Sequence, residues 1–294
     1  MIEYSQKPRK GDGKCIPCDM STVMFRCMIE TEGSCSLRTR NGRPERNWRI
    51  MRNLRLDICY DGTRYRGWQR LPGTDNTIQG KIETALSRIL GEPVEISGSG
   101  RTDAGVHAAH QTAIFHCDST MRAGEILSQL RRYLPEDIGI YSCKDGSERF
   151  HARLNARNKT YRYRIWNSDQ PCVFERRFVT VIPEPLDLEK MRRAAEQLKG
   201  QHDFAAFCTN KKMKKSTVRQ IYWLNVEQAG QEIRITVNGN GFLHNMVRIL
   251  VGTLVEAGQG KRDPDSIPEL FDGKRAEAGF LMPPQGLCLM EVEY

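Results

Sequence analysis

No stretch of the 294-residue chain approaches the roughly 18 consecutive apolar residues of a membrane-spanning helix, and the first 30 residues hold no apolar core of an export signal. A cytoplasmic protein without a membrane partner is therefore expected. The loops that cradle nucleotides are missing too. Gly98, Gly100 and Gly105 are spaced G-x-G-x4-G and lead into a strand pattern, whereas a dinucleotide fingerprint needs G-x-G-x-x-G opening a helix; no Gly-Lys-Ser/Thr precedes a helix either. A nucleophile elbow would need glycine two residues before Ser99, where Ser97 stands. Histidine is scarce, with six in all, and His107, His110 and His116 have no acidic or cysteine partners at ligand spacing, so no metal is expected there.

What is present begins with charge. The formal net charge is +9, which attracts polyanions, although a solvated surface rich in Lys and Arg gives the same balance. Of the ten cysteines, Cys59, Cys117, Cys143, Cys172, Cys208 and Cys288 are scattered singly and read as small apolar residues in a reducing compartment. Cys15, Cys18, Cys27 and Cys35 crowd together as C-x2-C-x8-C-x7-C, a possible zinc set whose gaps fit no standard pattern. They fall in residues 1–50, a Gly-, Arg- and Ser-rich segment without apolar periodicity that carries 10 of the 45 basic and 6 of the 36 acidic residues. Such a segment buries too little apolar surface to offset its ordering entropy, and it is read as a disordered or mis-called extension, with Met51 as an alternative start.

From Met51 the pattern sharpens into a half spanning 51–150 and another spanning 151–294. "LRLDICY" alternates as a strand; "NTIQGKIETALSRILG" has helical spacing, with Asn76 or Thr77 to cap it and Gly91 to end it. Strands "PVEIS" and "QTAIFHC", a helix in "DSTMRAGEILSQLRRYL" capped by Ser119 or Thr120, and strand "DIGIYSC" complete a β-α-β-β-α-β order. The second half repeats it with "TYRYRIW", "LDLEKMRRAAEQLKG", "VRQIYWLNVEQ", "QEIRITVNG", a helix from Gly241 in "GFLHNMVRILVGTLVEAG", and "GLCLMEVEY"; "FVTVI" adds a short strand. The expected class is α+β: two split-βαβ halves forming a mixed, largely antiparallel sheet, with a cleft between two lobes.

Within "GSGRTDAGVHA", Asp103 is either a turn aspartate beside Gly105 or a carboxylate held ionised and aimed at a substrate. Arg101 is near enough in sequence to pair with it, though adjacent residues on a bend can point apart. "DGTRYRGWQR" interleaves Arg64, Arg66 and Arg70 with Tyr65 and Trp68, a mix suited to phosphate contact and base stacking. "KTYRYR" puts Tyr161 and Tyr163 on one face. "KKMKK" offers Lys211, Lys212, Lys214 and Lys215 as a salt-sensitive phosphate grip or a solvated loop. Arg248, set among apolar neighbours in the last helix, needs an acidic partner.

Six stretches in order, "YDGTRYRGWQ", "SGRTDAGVHA", "FHAR", "KTYRYRI", "GFLHNMVR" and "GLCLMEVEY", resemble the TruA family of tRNA pseudouridine synthases from Met51 to Tyr294. The resemblance implies the pseudouridine synthase fold, with helices on one face and a central basic cleft. It implies a cofactor-free isomerase that converts uridine to pseudouridine at positions 38 to 40 of the tRNA anticodon stem-loop, working as a homodimer. Asp103 matches the nucleophile, Tyr161 the tyrosine that stacks on the target base and assists proton movement, and Arg248 the basic partner of the carboxylate. Arg101 matches the motif arginine that holds the flipped nucleotide. Two rival readings remain: a non-catalytic tandem RRM-like RNA-binding protein, which lacks an "RGFGFV"-like strand, and a zinc-dependent RNA-modifying enzyme using the N-terminal cysteines.

Overall fold

The structure, a computed structural model, describes residues 51–210 and 215–294. Residues 1–50 with their four cysteines, and Lys211, Lys212 and Lys214, lie outside the described residues.

In β1 (Arg52–Tyr60) the alternation is realised: Leu54, Leu56, Ile58 and Tyr60 are buried, while Arg55 bonds Asp57 on the opposite face. Helix α1 (Ile78–Leu90) opens at Thr77, whose hydroxyl accepts from the Gly80 amide at 3.2 Å, and closes at Gly91 with φ 72°. There follow β2 (Ile96–Gly98), β3 (His107–Cys117), α2 (Ala123–Tyr133) and β4 (Ile138–Asp145). The expected Ser119 or Thr120 cap is displaced. The Arg122 amide donates to the Glu125 carboxylate at 2.9 Å and opens α2 there, whereas Ser119 Oγ accepts from Met121 and holds the preceding turn.

The second half contains β5 (Asn158–Trp166), β6 (Thr180–Val181), α3 (Leu188–Gln197), β7 (Gly200–Asp203), β8 (Val218–Ala229), β9 (Glu232–Gly239), α4 (Met246–Gly258) and β10 (Leu287–Glu293). Strand β7, "GQHD", was not anticipated. It is an edge strand on β8, made by its backbone ladder and not by an apolar face.

All ten strands form one sheet in the order β4-β1-β3-β10-β5-β9-β8-β7, with β2 on β3 and β6 on β5. The pairing β4-β1-β3-β2 of the first half reappears as β10-β5-β9-β8 in the second, so the repeat of element order is also a repeat of strand pairing. Strand β10 is antiparallel to β5 and parallel to β3, with Cys288 opposite His107 and Leu289 opposite Ala108. One sheet thus passes through the junction near residue 150. The helices pack on the face that carries Leu56, Phe115, Tyr163 and Ile235.

Among the described residues no helix is long and apolar enough to cross a membrane. Of the six cysteines after residue 50, Cys117, Cys143 and Cys208 are buried and Cys59, Cys172 and Cys288 half-buried.

Candidate active site

The loop that carries Asp103 joins β2 to β3 and rests on the loop that follows β1. Trp68 N–H donates to the Thr102 carbonyl at 3.0 Å, Gly105 N–H to the Tyr65 carbonyl at 3.3 Å, and Tyr60 and Thr102 share a hydroxyl hydrogen bond of 2.8 Å. The backbones are so close that a side chain at Gly67, itself at φ 97°, would meet the Thr102 carbonyl oxygen at 2.8 Å. Gly105, at φ 77°, completes the bend, and Val106 N–H donates to the Asp103 carbonyl at 3.1 Å. The motif glycines therefore let two loops stack backbone on backbone and lift the Asp103 side chain off the sheet.

Tyr65 and Trp68 are not free to stack on a base. Both are buried: the Tyr65 hydroxyl donates to Asp137 at 2.5 Å, and the Trp68 indole lies where a Cβ on Gly98 would be 2.6 Å away. Arg64 pairs with Asp137 and Arg70 with Glu83 and Glu95, while Arg66 is exposed. None of these three arginines lines the cavity described below.

Asp103 meets two basic groups from the chain around the start of α4. Its Oδ1 is 3.4 Å from His244 Nε2 and its Oδ2 is 3.9 Å from Arg248 Nη1. The acidic partner expected for Arg248 is thus Asp103, at the long end of an ion pair. Burial pulls the Arg248 guanidinium below its ordinary pKa, and the Asp103 charge opposes that shift. Helix α4 does not start at Gly241 as its apolar spacing predicts. Asn245 takes φ 62°, the one non-glycine positive φ among the described residues, and interrupts the run. Its side chain secures that conformation: Oδ1 accepts from Arg248 Nη1 at 2.7 Å and Nδ2 donates to Thr209 Oγ1 at 2.8 Å. Arg248 Nε also donates to the Met282 carbonyl at 2.6 Å.

His244 was not singled out from the sequence, although "GFLHNMVR" contains it. Because guanidinium only donates, Asn245 must present its oxygen to Arg248 and its NH2 to Thr209, whose hydroxyl keeps its own proton for His244 Nδ1, 2.7 Å away, while the acceptor-only Asp103 carboxylate faces Nε2. The neutral ring then carries its proton on Nε2, the nitrogen that faces Asp103.

Tyr161, on β5, is 8% exposed and packs edge-on against Phe242 at 5.2 Å. Burial, and then the Asp103 charge, push its phenol above the ordinary range, so it stays protonated. Tyr163 lies deeper on the same face, bonded to Thr180 and the Pro283 carbonyl, while Arg164 pairs with Glu232 on the other.

Asp103 and Tyr161 line a cavity of about 980 Å³ over the middle of the sheet. Among the described residues Asp103 is the only carboxylate in its lining, against five Lys and Arg side chains, Arg101, Arg153, Lys159, Lys215 and Arg219, and His244. Arg248 stands behind Asp103, outside the lining. Burial pushes the Cys143 thiol up to about 12 and that of Cys288 up to about 11, so neither competes as a nucleophile. Among the described residues no group of three His, Cys, Asp or Glu side chains could hold a metal ion.

Residues 58–155 and 194–294 match the family model described as tRNA pseudouridine synthase. The chain is 45% identical over 245 residues to tRNA pseudouridine synthase A 2 of Bacillus cereus, covering 83% of this chain and 100% of the relative. It is 46% identical, with the same coverage, to tRNA pseudouridine synthase A 1 of Clostridium tetani. Among solved structures the Cbf5-Nop10-Gar1 complex is matched at 12% identity and a TM-score of 0.34, over 80% of this chain and 48% of that one, too slight a likeness to argue from.

Proposed function

The chain belongs to the tRNA pseudouridine synthase family, and we propose that it converts uridine to pseudouridine at positions 38 to 40 of the anticodon stem-loop with Asp103 as nucleophile. The observation that carries this reading is the cavity in which, among the described residues, one carboxylate stands among five Lys and Arg side chains, next to a protonated tyrosine. The basic lining suits an RNA backbone. The reacting atoms of a stacked, paired uridine are out of reach, so the nucleotide must be turned out into the cavity.

The reaction breaks the bond from N1 to C1′ and makes one from C5 to C1′; the hydrogen lost from C5 is balanced by one gained at N1. No water is activated and no group departs, so a single carboxylate is enough, where glycoside hydrolysis uses two. In this reading half 51–150 carries the nucleophile and half 151–294 supplies Tyr161 and Arg248. Arg248 and His244 hold Asp103 from behind and from the side. Tyr161 stacks on the base and keeps a proton to lend. Arg101 holds the extruded nucleotide, and Lys215, with Arg64, Arg66 and the remaining lysines of its loop, contacts RNA farther out. A non-catalytic tandem RNA-binding protein would leave Asp103, with His244 and Arg248 beside it, without a task.

Mapping pseudouridine in tRNA from cells lacking this gene should show loss at positions 38 to 40, regained on complementation. Retention at all three would overturn the assignment. Tyr161→Phe should keep the stacking and lose only the hydroxyl, whereas Tyr161→Ala should also lose roughly 1 to 3 kcal/mol of stacking. Steady-state kinetics that find both variants equally near the parent would make the ring structural. The same reading makes the protein a cytoplasmic homodimer, and light scattering on the full chain should return twice the monomer mass.

A further inference from the structure

Lys159 lies two residues before Tyr161 on β5, on the same face of the sheet, and its ammonium donates to the Ser99 carbonyl at 2.6 Å. Among the described residues no carboxylate pairs with it. Across the sheet it faces Val292 of β10 and Gly239 of β9, neither of which titrates. The segment before β5 brings Arg153 to the same cavity, and the catalytic loop brings Arg101 and, farther along, Asp103. Burial first, and the charge of Arg153 second, pull the Lys159 pKa down to about 8.

A loop clamp is a poor reason to bury this cation, because the loop is held without it. Ser99 N–H donates to the Thr112 carbonyl at 2.8 Å, Gln111 Nε2 donates to the Gly100 carbonyl at 3.0 Å, and the Ser99 hydroxyl bonds the Gln111 amide oxygen. Among the described residues the ammonium spends one of its three donors, on Ser99, and Arg153 beside it and Arg101 in the same cavity lining carry charge of the same sign, an arrangement that favours an incoming anion. Approach is kept open by Gly100, where a Cβ would sit 3.1 Å from the Lys159 nitrogen.

We propose that Lys159 anchors a phosphodiester of the bound RNA, acting with Arg101 and Arg153 to hold the backbone beside the nucleotide presented to Asp103. This rests on the RNA substrate proposed above. A phosphate at the ammonium reverses the effect of its surroundings and raises its pKa again. Binding then takes up a proton once the pH reaches about 8, and affinity falls as the pH rises through that value.

The experiment is equilibrium binding of an unmodified tRNA transcript to the full chain, to Lys159→Met and to Lys159→Arg, at two salt concentrations and from about pH 7 to pH 9.5. Lys159→Met should bind roughly tenfold more weakly at neutral pH and lower the slope of log affinity against log salt by about one. Lys159→Arg, charged throughout, should keep the affinity and lose the pH dependence above about 8. A Lys159→Met protein with the parent's affinity and salt slope would overturn the proposal, as would a Lys159→Arg profile that still falls through pH 8. Failure of the parent chain itself to bind the transcript would instead sink the RNA reading and this inference with it.

Discussion

Asp103→Asn is expected to lower pseudouridine formation by roughly 10⁴-fold or more while leaving affinity for unmodified tRNA unchanged or slightly higher. Asparagine matches the shape of the side chain and can still accept from His244 Nε2, but it offers neither the charge nor the nucleophilic oxygen. Asp103 is the only carboxylate among the described residues of a lining with five Lys and Arg side chains, and removing it makes the cavity more positive, so an anionic RNA is held no less firmly. Folding should change little. The contacts to His244 and Arg248 are long, 3.4 and 3.9 Å, and the side chain is 27% exposed, where such pairs contribute about 1 kcal/mol or less. Release of tritium from uridine labelled at C5 follows the chemistry and a filter-binding titration follows the affinity. Appreciable turnover by the variant would remove Asp103 from the role of nucleophile.

Elements set by local periodicity were legible in the sequence, and features set by distant contacts were not. Leu54, Leu56 and Ile58 alternate and are buried; Thr77 and Gly91 cap α1 because both caps need only neighbouring backbone. The start of α4 was misplaced because the apolar spacing from Phe242 to Met246 looks helical, while the backbone of Asn245 is turned by partners 36 residues back, at Thr209, and one turn ahead, at Arg248. Likewise "DGTRYRGWQR" looked like an exposed binding strip. Its aromatic residues are core, because Gly62 and Gly67 let the loop of Asp103 come down on top. The need of Arg248 for an acidic partner followed from its apolar neighbours, yet the identity of that partner came only from family resemblance. His244 gave no signal of its own, since a single polar residue ahead of a helix is common.

Arg248→Met is expected to reduce the rate by roughly 10² to 10³, the scale on which loss of one preoriented charged donor acts, with a much smaller effect on stability. The guanidinium does three things at once: it donates to the Met282 carbonyl, it donates to Asn245 Oδ1, and it places a charge 3.9 Å from Asp103. Methionine replaces the apolar stem and abolishes the burial of a charge, which offsets part of the stability lost when two acceptors go unpaired, a loss of about 1 to 3 kcal/mol each when water cannot replace the donor. Catalysis has no such compensation. Asn245 loses the donor that fixes its amide, Thr209 is free to turn, and the proton on His244 Nε2 is no longer directed at Asp103. Arg248→Lys restores a charge but not the planar fork, so it should recover stability more than rate. The two roles separate in one pair of measurements, thermal melting and single-turnover kinetics at saturating tRNA. A collapse of the melting temperature with a normal rate in the folded remainder would make Arg248 a structural charge and leave Asp103 to be oriented by His244 alone.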